Sequence, residues 1–128
     1  MDGRRTVIIG VANGYGTDNL TCRDGPEALK ALDLFNDPKD ALHILHWDEL
    51  IKAYDHHPDH INAIENIAIQ RAKQVAQHLW SVDSLLIIGG DHSCALGTWS
   101  GVKHYLGEEA RLGLIWIDAH MDSHTSNK

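Results

Sequence analysis

Residues 84–93 read SLLIIGGDHS, a short apolar run closed by two glycines, an aspartate and a histidine. Ser84–Ile88 carries no charge and is rich in aliphatic residues, the pattern of a strand covered on both faces. Gly89-Gly90 ends the run and permits a tight turn with close backbone approach. The residues from Ser93 to Tyr105 then read as a helix, so the stretch is a strand, a turn and a helix in succession. The same grammar repeats on either side. Upstream, Thr6–Val11 (TVIIGV) is a buried strand, Ala12–Arg23 is a Gly/Asn/Asp-rich loop, and Asp24-Gly25-Pro26 opens a helix from Glu27 to Phe35. Ala41–Trp47 (ALHILHW) is a second strand. His57-Pro58-Asp59 opens a long helix whose Ile61, Ile64, Ile67, Ala68, Ala72, Val75, Ala76 and Leu79 share one face. Downstream, Leu112–Ile117 (LGLIWI) is expected to form a fourth strand. Strands alternating with helices predict an α/β protein with a parallel sheet and helices on both faces.

Composition narrows the function. The chain has 128 residues, 43% hydrophobic and 23% charged, which suits one small domain or part of a larger one. Its formal charge of −7 and the lack of a basic stripe exclude nucleic acid as the main partner. No apolar run approaches the roughly 20 residues that span a bilayer, so no membrane partner is expected. The arginines at the start precede a run too short for a signal peptide. Cys22 and Cys94 show no framework spacing, which fits a reducing cytoplasm.

The chemistry concentrates in two places. Asp118-x-His120-x-Asp122 follows an apolar run, and in an extended chain alternate side chains point to one side. Carboxylates can bridge two cations, and imidazole ligates one. Oxygen and nitrogen donors suit Mn²⁺ well and Zn²⁺ or Fe²⁺ less exclusively, and the lack of a thiolate weakens a structural-zinc reading. His92, in Gly89-Gly90-Asp91-His92-Ser93, also follows a strand. Open α/β sheets bind ligands beyond the carboxyl ends of their strands, so the two motifs can converge there. Each motif alone is weak, because a turn with a helix cap or a hydrogen-bonded strand end would explain it.

Together, GGDHS, D-A-H-x-D and the opening RDGPEAL (Arg23–Leu29) resemble the arginase/agmatinase, or ureohydrolase, family. The similarity covers essentially the whole chain but only the front of the family domain, so residues 1–128 would be the N-terminal part of one three-layer α/β/α domain. The resemblance implies a binuclear Mn²⁺ site. His92 would bind one metal, Asp118 would bridge both, and His120 would bind the second. Asp122 would bind the first and relay a proton to the leaving amine. A bridging hydroxide would attack a guanidino carbon, most simply that of L-arginine, giving L-ornithine and urea. Agmatine, guanidinobutyrate and formimidoglutamate are the alternative substrates, and a non-catalytic truncated chain or assembly module is the alternative of another class. Two further carboxylates would come from a later S-x-D-x-D-P-type segment that these residues do not contain. That C-terminal portion, as a separate piece, is one expected partner, and a second copy in a homo-oligomer is another. His124 stands where animal-type arginases carry a substrate-contacting asparagine, so it is the substrate-binding candidate. D-A-H-M-D-S-H-T is similar to a bacterial arginase-like branch.

The remaining features have bland readings. His56-His57-x-Asp59-His60 could bind a metal, but its place in a polar loop opening a helix favours a solvated capping segment. His43 and His46 lie at or near a strand edge, and His78 and His104 are helix-surface residues. Cys94, two positions after His92, could ligate a metal, but packing at a helix start is the plainer reading. Trp47, Trp80, Trp99 and Trp116 belong to the core or an interface. Asp91 orients the turn or a ligand. Asn13–Asp18 could line the mouth of a site, with an ordinary mobile loop as the safer reading.

Overall fold

In the computed structural model, residues 4–32, 43–48, 50–52 and 58–120 are described, the side chains of 43–45 excepted. Strand β1 (Arg4–Ala12) is the axis of the molecule. Its β-branched Val7, Ile8, Ile9 and Val11 are all buried, as a central strand of a covered sheet requires. Strands β2 (His43–Trp47), β3 (Ile51–Lys52) and β4 (Ser84–Gly89) all pair with β1 in parallel. Residues Thr6–Ile8 pair with both β2 and β4, so these lie on opposite sides of β1. Val11 pairs with both Ile51 and Gly89, which puts β3 on the β2 side.

Helices cover both faces. Helix α1 (Gly25–Ala31) begins with Gly25-Pro26, where the missing proline N–H costs no hydrogen bond. Pro26, Trp47 and Leu50 approach β1 at Gly10. Helix α2 (His60–Leu79) is capped by Asp59, whose side chain accepts from the Ile61 and Asn62 amides. Asp59 thus stands just before the helix, satisfying two of its free donors. Helix α3 (Cys94–Leu106) packs on α2 so closely that a Cβ on Gly97 would lie 2.5 Å from the Ala68 carbonyl. Val75 of α2 joins Val7 and Ile9 in the core, with Leu79, Val82, Leu85, Ile87 and Val102 packed around them. Each fully buried aliphatic side chain contributes roughly 1.5–3 kcal/mol.

Four expectations change. The α1 helix closes at Ala31, four residues before Phe35, which lies outside the described residues. A 3-10 turn, Leu20–Asp24, stands inside the stretch read as pure loop. The inward face of α2 includes Arg71, fully buried between Ile67 and Val75 at helical spacing, whereas Ile61 is exposed. The largest change is Leu112–Ile117, which forms no strand: Ile115 is 89% and Ile117 93% exposed. A strand needs a hydrogen-bonded neighbour, and among the described residues nothing pairs with this run or with the outer edge of β4. Leu86 of β4, the strand at that edge, remains partly exposed.

Candidate metal centre

The register Val11↔Gly89 sets the ends of β1 and β4 side by side. The β1 exit loop and the GGDHS turn therefore share one edge of the sheet. Gly90 is pressed into that loop: a Cβ there would lie 2.1 Å from the Asn13 carbonyl and 2.9 Å from Arg23 Cα. Only glycine permits this approach. Asp91 then accepts from the Ser93 amide at 2.8 Å and from the Ser93 hydroxyl at 2.5 Å. Its other oxygen accepts from the Gly16 amide at 2.9 Å. Asn13, 1% exposed, donates from Nδ2 to Ser93 Oγ and accepts the Tyr15 amide at Oδ1. Asn13–Asp18 is thus tied at Asn13 and Gly16 to the turn that carries His92, rather than being an ordinary mobile loop. The pattern N-G-x-G beside a glycine pair was its only trace in the sequence.

His92 projects from this turn with its side chain 71% exposed. It meets the segment that follows the unpaired run. His92 Nδ1 lies 3.4 Å from Asp118 Oδ2, and His120 Nδ1 lies 3.7 Å from Asp118 Oδ1. The Asp118 side chain is only 9% exposed, screened by these neighbours although its segment lies outside the core. The His120 amide donates to Oδ1 at 3.0 Å and the Trp116 indole to Oδ2 at 3.1 Å. The His120 amide first, then the indole, holds the Asp118 carboxyl below the usual carboxylate range. The two side chains converge through a turn at 118–120, not through the alternation of an extended strand. Trp116 also stands edge-on to His92, with ring centroids 5.6 Å apart.

Three of the four expected ligands, His92, Asp118 and His120, are therefore neighbours. Asp122 and the substrate candidate His124 lie outside the described residues. Among the described residues no group of three or more His, Cys, Asp or Glu side chains is close enough to hold a cation. The donor chemistry nonetheless fits one. A carboxylate with an imidazole near each oxygen is a nitrogen–oxygen set of the kind divalent transition metals take. Ligands at about 2.0–2.2 Å from one ion stand about 3–3.5 Å apart, close to the His92–Asp118 separation. Cys94 stays out of this set. It is half-buried at the start of α3, and burial pushes its thiol up, which disfavours the thiolate a metal needs.

Sequence reasoning missed two polar features behind the site. His78, read as a surface residue, is half-buried, and its Nε2 lies 2.6 Å from Asp48 Oδ2 at the end of β2. Arg71 is fully buried, and its Nε, Nη1 and Nη2 have no hydrogen-bond partner among the described residues. Burial pushes its guanidinium down, to about 10, while Cys94 and Asp48 act in the other direction. Its only sequence signal was its position midway between Ile67 and Val75.

The fold and the site define a class: an α/β/α protein with candidate metal ligands at the carboxyl edge of a parallel sheet. The chain matches the Arginase family over residues 4–128, and it belongs to that family. It is 29% identical to an arginase of Entamoeba histolytica over 98% of this chain and 44% of the relative. It is 33% identical to an arginase of Neurospora crassa over 93% of this chain and 36% of the relative. A formimidoylglutamase of Geobacillus kaustophilus is 41% identical across 46% of this chain and 18% of its own length. The crystal structure of arginase from Bacillus subtilis superposes with a TM-score of 0.66 at 22% identity, covering 77% of this chain and 33% of that one. That likeness fixes the fold. The chain spans less than half the length of these relatives. No helix among the described residues is long and apolar enough to cross a membrane.

Proposed function

We propose that this chain supplies the front half of a Mn²⁺-dependent ureohydrolase site that hydrolyses a guanidino compound, L-arginine to L-ornithine and urea in the first instance. The observation that carries the reading is the Asp118 carboxylate with His92 at one oxygen and His120 at the other, in a chain of the Arginase family. His92, Asp118, His120 and Asp122 would hold the metal. A pair of divalent cations supplies water ionised near neutral pH, the nucleophile that a resonance-stabilised guanidinium demands.

The chain's own residues do the rest. The Trp116 indole and the His120 amide keep Asp118 ionised and aimed, so it meets a cation as a carboxylate. The GGDHS turn presents His92 from a fixed sheet edge. By family resemblance, Asp122 would carry the proton that the leaving amine needs, and His124 would be the substrate-contacting candidate. Family membership supports the reaction type, and the formimidoylglutamase relatives keep formimidoglutamate among the candidate substrates beside agmatine and guanidinobutyrate.

A partner of stated kind belongs to the same proposal: a polypeptide bearing the C-terminal part of an arginase-type domain, which would pair the unpaired Leu112–Ile117 run and bring the remaining carboxylates. A homo-oligomer in the cytoplasm is the expected setting. The second reading, a non-catalytic remnant or assembly module, draws on that same exposed run. The test is urea release with Mn²⁺ from arginine, agmatine and guanidinobutyrate, and ammonia or formamide release from formimidoglutamate. The chain is assayed alone and mixed with such a C-terminal polypeptide. Product that vanishes with Asp118→Ala supports the enzyme. No product from any substrate in either preparation leaves the non-catalytic reading standing.

A further inference from the structure

We infer that Asp91, Ser93 and Asn13 form a clamp that positions His92, so that the β1 exit loop governs the metal-facing direction of the imidazole. The inference rests on the metal-site reading for its purpose, but its geometry stands independently. Asp91 and Ser93 flank His92 in the chain. Asp91 Oδ1 accepts from the Ser93 amide at 2.8 Å, closing an Asx turn in which His92 is the middle residue. A turn of this kind fixes the backbone direction from which the middle side chain leaves.

An isolated Asx turn would be weak, but this one is locked from outside. Asp91 Oδ2 accepts from the Gly16 amide at 2.9 Å, reaching across to the loop after β1. Asn13 Nδ2 donates to Ser93 Oγ at 2.5 Å, and that hydroxyl donates to Asp91 Oδ1. Asn13 is held in turn by the Tyr15 amide and by burial at 1% exposure. The Gly90 backbone, wedged against Asn13 and Cys22, leaves the turn no room to slide. A carboxylate accepting three hydrogen bonds from two segments makes a stiff joint, since charge-assisted hydrogen bonds are about twice as strong as neutral ones. No part of the clamp touches the metal-facing nitrogen. Asp91, Ser93 and Asn13 are therefore positioning residues, and supporting residues of this kind typically govern metal affinity 10- to 100-fold.

The experiment compares Ser93→Ala, Ser93→Thr and Asp91→Asn with the parent chain at one fixed pH near neutrality. Three quantities are read: amide exchange at Gly16, the ring resonances of His92 with its contacts to Trp116, and Mn²⁺ binding by water-proton relaxation. Ser93→Ala and Asp91→Asn are expected to speed Gly16 exchange at least tenfold, to move the His92 resonances, and to weaken Mn²⁺ binding 10- to 100-fold. Ser93→Thr keeps the hydroxyl and is expected to restore all three. Unchanged Gly16 exchange and unchanged His92 resonances in Ser93→Ala and Asp91→Asn overturn the clamp. Faster exchange with unmoved His92 resonances also overturns it, because the network would then be only structural. If the parent chain binds no Mn²⁺, the metal reading fails, and the exchange and resonance data still decide the clamp.

Discussion

Two turns carry the candidate ligands, and they are built in opposite ways. The His92 turn follows a paired strand, is wedged by Gly90 against the β1 loop, and is bonded across the sheet edge by Asp91 and Asn13. The Asp118–His120 turn follows an unpaired, exposed run and is held by its own neighbours, the His120 amide and the Trp116 indole. The first is positioned by tertiary structure. The second keeps its shape by local hydrogen bonds and reaches the first through His92. A site assembled this way has one rigid wall and one wall whose direction depends on what pairs with the run before it.

A matched pair of substitutions breaks the comparison most sharply. Gly90→Val drives a side chain into the Asn13 carbonyl and the Arg23 backbone, and is expected to cost about 3 kcal/mol in urea unfolding. Gly113→Ala, in the exposed run, meets nothing within 4 Å and is expected to change stability by less than about 0.5 kcal/mol. Equal costs at the two positions would show that the two regions share one mechanical role. Arg71 sharpens the contrast from beneath the rigid wall. Its buried guanidinium has no hydrogen-bond partner among the described residues, so Arg71→Met, which keeps the stem beside Gly97, is expected to raise stability by about 1–2 kcal/mol. A loss of stability would mean that the charge is compensated in the folded chain.

The smallest effect concerns pH and the soft wall. Because the folded chain holds the Asp118 carboxyl low, its contacts are fully present above the usual carboxylate value of about 3.9. They are lost only as pH falls through the lowered value. The Trp116 indole N–H resonance is expected to stay in place at pH 4 and to shift below it. In Trp116→Phe the shift of the neighbouring His120 amide is expected at higher pH, since one of the two donors is gone.

Much of this was legible in the residues. Short apolar stretches located β1, β2 and β4, even though β2 carries His43 and His46. Asp59 before a periodic run located α2. That His92, Asp118 and His120 would come together was legible because chemistry-bearing residues cluster just after apolar runs. What was not legible depended on neighbours. LGLIWI has the composition of a strand, yet strand formation needs a partner that composition does not provide. Arg71 occupies a core position that hydrophobic patterning assigns to an aliphatic residue. His78 looked like a surface residue until Asp48 was placed opposite it. The clamp joins residues 75 to 80 positions apart, a separation that no local pattern encodes.

The exposed Leu112–Ile117 run has a consequence for handling and for survival in the cell. Six residues with no charge, no proline and strong β character are the kind of segment that stacks with its own copies into dry, interdigitated fibrils. Arg111 and Asp118 stand at its two ends with opposite charges, the kind of flanking residue that counters such stacking.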